Sequence, residues 1–320
     1  MRRALVLLLF LLATAAPAQT APASSGPHLT VRCDDGLEGA AERLRAAYPA
    51  LLARIEERLG IAYPRPLTVR LVRDHESFAA AVREFGGGEV AAHVAAIAFS
   101  FADVIVLKSE AWRTLRVPSM EVVFQHEIVH CVLGHFVREN PEAVIPVWLN
   151  EGVAQWVSES PYRPEDGVLA AALADDALIP FSELDESFPA GESASALAYA
   201  QALSFVRFLS RLDAENEFVR GNIRALIRHL GRGRTLDDAL LELTGRSFEE
   251  LQEAWRGEAS RELDLGLRRL PEFLFAGFIG VVTLLLWATI RGRRRRALEA
   301  MDRSPDAPFS DLAEETEALD

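Results

Sequence analysis

At 320 residues, half apolar and a quarter charged, the chain has an ordinary globular composition and room for one large domain or two small ones. Its formal charge of −13 argues against a general nucleic-acid binder, which carries a basic face. Two cysteines, Cys33 and Cys131, are too few for a disulfide framework or a four-cysteine zinc site, although one bridge between them remains open to an exported domain.

Residues 1–18 read as a secretory signal: Arg2 and Arg3 ahead of an apolar run, Leu5 to Leu12, then small residues at Ala16-Pro17-Ala18. Residues 19–28, rich in Ala, Pro, Ser and Gly, form a flexible lead-in to a body over 29–262. Gly36 to Leu59 carries apolar residues at helical spacing and stops at Gly60. "PLTVRLV" (66–72) alternates and is a strand. "DHESFAAAVREFG" is a helix with Asp74 as its N-cap and Gly86 near its stop. "AAIAFSFADVIVL" holds one or two strands ending near Leu107, and Lys108 behind it is the only lysine of the chain. Pro118 and Ser119 open a helix to about Phe136, and a second helix follows Pro146. A loop rich in Pro, Asp and Ser fills 158–194. Helices are expected at 195–212, around 216–230, at 235–243 and at 247–259. Strands early and helices late give an α+β fold.

Beyond the body, Phe273 to Ile290 is an uncharged run of eighteen residues followed at once by "RGRRRR". As a helix it spans about 27 Å, near the hydrocarbon thickness of a bilayer. The arginine run marks its cytoplasmic end, with Trp287 at an interface. The chain is therefore expected to be a single-pass membrane protein of the cell envelope. Its body lies outside the cytoplasm, and residues 291–320, whose tail from Ala297 to Asp320 is acidic, lie inside.

The helix from Ser119 contains "QHEIVHCVLGH". Residues four apart on an α-helix are about 40° from one another, so His126 and His130 can offer imidazole nitrogens to one ion. Glu127 is about 100° round, beside that ion without being needed as a ligand. A catalytic zinc takes three protein ligands and keeps a fourth position for water, whose proton a nearby carboxylate removes. His-Glu-x-x-His thus supplies two ligands and a base. The positions where one scheme places a glycine and a third histidine are Leu133 and Phe136, so that scheme fails. His135 is about 140° round from His130 and faces away, and Cys131 is better read as packing. His28, His75, His93 and His229 receive no role. The other scheme takes a glutamate from the next helix, where "WLNEGVAQW" offers Glu151, 21 residues after His130. Taken alone, Glu151 is also a carboxylate that a helix N-terminus attracts.

"HEIVH" followed by "WLNEGVA" resembles the paired zinc-binding helices of the gluzincin metallopeptidases and, more narrowly, is similar to bacterial peptidase MA-like domains. The resemblance extends to "YAQALSFVRFL" and "TLDDALLELTGRSFEELQEAW", covering most of residues 30–260. It implies a gluzincin-like domain, mixed helix and strand first and helical later, that hydrolyses peptide bonds. It implies zinc on His126, His130 and Glu151, and Glu127 as general base and proton carrier to the leaving amine. Tyr199 matches the tyrosine that donates to the oxyanion in several gluzincins, and equally suits the core of an amphipathic helix. "AFSFADVIVL" would supply the edge strand that pairs with an extended substrate. The implied partners are a peptide or protein substrate and the membrane. The rival reading is a non-enzymatic binding module that keeps the same fold.

Overall fold

The computed structural model of the chain describes residues 28–111, 119–158, 165–189, 191–212, 222–261 and residue 291. The signal segment, the span at 273–290 and all of the tail but residue 291 lie outside the described residues. Among the described residues no helix is long and apolar enough to cross a membrane.

Four short strands, β1 (Leu29–Cys33), β2 (Leu67–Val72), β3 (Ala96–Phe99) and β4 (Val104–Lys108), form one mixed sheet in the order β1-β2-β4-β3. β1, β2 and β4 run parallel, and β3 lies antiparallel to β4 at the edge. Parallel neighbours need crossovers. Here they are α1 (Glu38–Leu59) between β1 and β2, and α2 (His75–Glu84) after β2. The period-two alternation of β2 sends Leu67, Val69 and Leu71 into the main core. Val72 on the opposite face joins Val104, Val106 and the α2 residues Phe78 and Val82 in a second, smaller core. "AAIAFSFADVIVL" is thus two strands and a tight turn. β1 was not expected: its five residues adjoin the lead-in and give too short an alternating run to stand out.

α3 (Met120–Glu139) begins where expected, with the Ser119 hydroxyl accepting from the Val122 N–H at 3.3 Å, and runs a turn beyond Phe136. It packs against α1 and β3. The rest is helical: α4 (Val147–Ser158), α5 (Glu165–Ala174), α6 (Glu192–Arg211), α7 (Asn222–Leu230), α8 (Leu236–Thr244) and α9 over 248–261. The expected loop at 158–194 is corrected by α5 and by a 3-10 turn at Phe181–Glu183. Within α5, "GVLAAALA" has no polar stripe, because Leu169 and Ala172 are buried and the helix packs on α6. It therefore lacks the 3.6-residue signal that marks an amphipathic helix.

Two features hold the early half together. The amine of Lys108 is buried, donates to the Ala92 carbonyl at 2.7 Å and sits 5.5 Å from the Phe78 ring centroid. Burial pushes this amine below its ordinary pKa. In the β3–β4 turn, Asp103 is buried and adopts φ 54°. Its carboxylate accepts from Tyr63 Oη at 2.8 Å, Arg65 Nε at 2.9 Å and Arg138 Nη2 at 2.8 Å, so it ties the hairpin to α3.

Burial alone would raise the Asp103 pKa, but the bonds from Tyr63, Arg65 and Arg138 outweigh it and hold the carboxyl below its usual range. A depressed carboxylate stabilises the fold above the unfolded pKa of about 3.9, and that contribution is lost as pH falls through the lower, folded value. Asparagine tolerates the same left-handed backbone, so Asp103→Asn isolates the charge. The variant is expected to be about 2 kcal/mol less stable at pH 7, as for hydrogen bonds to a charged group. Urea unfolding at several pH values should show the difference shrinking below about pH 4. A difference independent of pH would contradict this account.

Candidate metal centre

α4 is placed by what its first turn packs against. Its Val147 and Trp148 N–H groups, unpaired within the helix, donate to the carbonyls of Asp185 and Leu184 at 2.9 and 3.1 Å. Trp148 is fully buried among aromatic rings, edge-on to Phe181 at 4.8 Å and stacked on Phe248 at 5.8 Å. Such pairs contribute ~0.5–1.5 kcal/mol each beyond their buried area. At the other end of α4, Arg58 donates to the carbonyls of Trp156 and Val157 at 3.1 and 3.2 Å. Gly152 has a packing reason: a Cβ there would meet the Ala202 carbonyl oxygen and Val206 Cγ2, both at 2.7 Å. The missing side chain lets α6 close on α4 beside Glu151, and Gln155 Nε2 donates to the Tyr199 carbonyl at 3.1 Å across that contact.

The two fixed helices bring together the predicted ligands. His126 Nε2 and His130 Nε2 are 3.0 Å apart, and Glu151 Oε2 lies 3.3 and 3.6 Å from them. Tetrahedral zinc with bonds of ~2.0–2.1 Å spaces its ligand atoms by about 3.3 Å, so the three separations bracket that value. Glu151 Oε2 is buried and accepts no hydrogen bond, an orphaned acceptor that a cation would satisfy. The His130 Nδ1 position faces Asn150 Oδ1 at 2.9 Å. Donation of Nδ1–H to that oxygen directs the Nε2 lone pair at the cluster. Two imidazoles and a carboxylate are a donor set suited to zinc. Among the described residues this is the one grouping of three such side chains that could hold a metal ion.

Burial disfavours charge on His130, but the Glu151 carboxylate outweighs it and lifts the imidazole pKa to about 9. Glu151 is likewise penalised by burial and yet held well below the usual carboxylate range by His130 and His126. Glu127, 7 % exposed, is not part of the cluster. Burial pushes its carboxyl above the ordinary range against the pull of His126 and His130.

A cleft of about 650 Å³ opens over these groups. It is lined by His126, Glu127, His130 and Glu151, by Tyr199 from α6 and by Ala96 and Ala98 of the edge strand β3. Tyr199 is half-buried, with its ring edge-on to Phe188 at 4.8 Å. All five residues singled out in the sequence therefore face one cleft. His135, expected to point away, is buried with its ring edge-on to Tyr63 at 5.7 Å. Cys131 is buried in the core, and both cysteines are free thiols. Sequence reasoning gave no role to Asn150, although its place immediately before Glu151 was the available signal. It also passed over Phe101, which stands at the cleft rim.

Compared with known proteins, residues 50–260 match the family model of the Peptidase MA superfamily. No curated protein and no solved structure matched the chain.

Proposed function

The chain belongs to the Peptidase MA superfamily, and from that premise we propose that it is a zinc-dependent metallopeptidase. The observation that carries the proposal is the convergence of His126, His130 and the orphaned Glu151 oxygen beside a buried Glu127 in an open cleft. His126, His130 and Glu151 would hold the ion, with Asn150 fixing the His130 ring. A zinc ion bound there would acidify a water and polarise the substrate carbonyl. Glu127 takes the proton of the attacking water and delivers it to the leaving amine. β3, at the edge of the sheet along the cleft, offers backbone groups to an extended peptide. The test is elemental analysis of the purified protein together with cleavage of a broad peptide library. About one zinc per chain and chelator-sensitive cleavage are expected, whereas a zinc-loaded protein inert on the library favours a binding module.

In the same reading, the Tyr199 hydroxyl donates to the oxyanion that develops on the substrate. Tyr199→Phe is then expected to lower turnover by ~10²-fold or more with zinc content unchanged. An unaltered rate would leave Tyr199 with packing alone.

The signal segment and the arginine run after residue 290 support an exported catalytic domain held by one span, with a cytoplasmic C-terminus. Protease applied to intact spheroplasts is expected to remove the body and spare a C-terminal tag. Digestion of the tag from outside overturns this topology.

A further inference from the structure

The floor of the cleft is a stripe of α3: His126, Glu127 and His130, then Leu133, Gly134 and Val137, ending at Arg138. Residues spaced by three and four share one helix face. From 126 to 138 the stripe is about 18 Å long, room for about five residues of extended chain at ~3.3 Å each. The candidate metal cluster occupies only one end of it.

Beyond His130 the lining changes character. Leu133 and Val137 form the floor, Val94 and Ile145 are further lining residues, and none of them is charged. Phe101 stands at the rim, 77 % exposed. Its position follows from Gly134: a Cβ on Gly134 would lie 2.4 Å from Ser100 Cβ, so only glycine lets that turn settle on the helix. At the far end, Arg138 is committed to the Asp103 carboxylate at 2.8 Å and to the Ser100 carbonyl. Its charge is therefore largely answered within the protein.

Building on the peptidase reading, we propose that this stretch is a specificity subsite for a large apolar side chain two residues from the scissile bond. Leu133 and Val137 lie about 4.5 and 10.5 Å along the helix axis from His130. In an extended peptide, side chains two positions apart are about 6.6 Å apart and point the same way. The side chain two residues from the reacting carbonyl then falls between Leu133 and Val137, under Phe101.

Binding can be read without turnover by using the zinc-loaded full chain carrying Glu127→Gln, in detergent, and fluorescence polarisation of labelled peptides. Peptides with Leu, Met or Phe at that position are expected to bind at least about tenfold tighter than those with Ser or Asp, as for apolar pockets in general. Adding Val137→Glu should abolish the preference and favour Lys there. Phe101→Ser, at an exposed site that does not bear on folding, should weaken the apolar peptides by about threefold or more and leave the polar ones unchanged. The second variant decides the matter if the first melts early. No apolar preference in the parent, or a preference that survives the substitutions in folded protein, overturns the subsite. Peptides bound and cut by the wild type without preference sink the subsite alone, whereas a zinc-loaded wild type that neither binds nor cuts any peptide sinks the peptidase reading beneath it.

Discussion

Glu127→Gln is expected to give a folded, metal-loaded protein that hydrolyses peptides ~10²–10⁴-fold more slowly than the wild type. The glutamine has the shape of the glutamate but cannot accept a proton. None of the three clustered donor atoms belongs to Glu127, so metal retention should not change. Nor should the fold suffer. The carboxylate is buried and penalised for its charge, and a neutral amide removes that penalty, so the melting temperature should hold or rise. Elemental analysis, a thermal melt and peptide cleavage on the same preparation check all three parts. A metal-loaded variant that cuts at the normal rate would remove Glu127 from the chemistry.

Glu151→Ala should fail in the opposite order. It deletes one of three donors, and the two histidines left on α3 cannot by themselves make a three-ligand site. Zinc content after dialysis against a chelator is expected to fall well below one per chain, with activity falling as a consequence. The helix should survive, because its placement rests on Trp148, Gly152 and the capped first turn rather than on the carboxylate. Loss of activity with full zinc retention would show that Glu151 acts otherwise than as a ligand.

That His126, His130 and Glu151 come together while Glu127 stands beside them was legible in the sequence, because helical spacing separates the two faces. The pairing of "HEIVH" with "NEG" pointed to the third member of that cluster. Less legible was what depends on distant packing. Asn150 belongs to the site because α4 is held at a particular angle by Leu184, Asp185 and an aromatic cluster drawn from four separate helices and turns. Periodicity along one segment carries no record of that angle. The same holds for α5, whose uniform apolar run reflects contact with α6, and for β1, whose partner strand lies 38 residues further on in the Leu29–Leu67 register. Tyr199 sits between these cases: its helix was evident from periodicity, whereas its place at the cleft was signalled only by the family resemblance.

Lys108 gives the molecule an intrinsic label for conformational opening. Because the chain's one lysine amine is buried beneath the segment that carries Ala92, an amine-directed reagent is shut out from it in the native fold. Acylation at Lys108 therefore marks molecules in which residues 92–95 have lifted from β4. Val94, a lining residue of the cleft, rides on that same segment. The rate at which the adduct accumulates would measure how often this side of the cleft comes apart, by mass spectrometry alone and without ligand, metal or mutation.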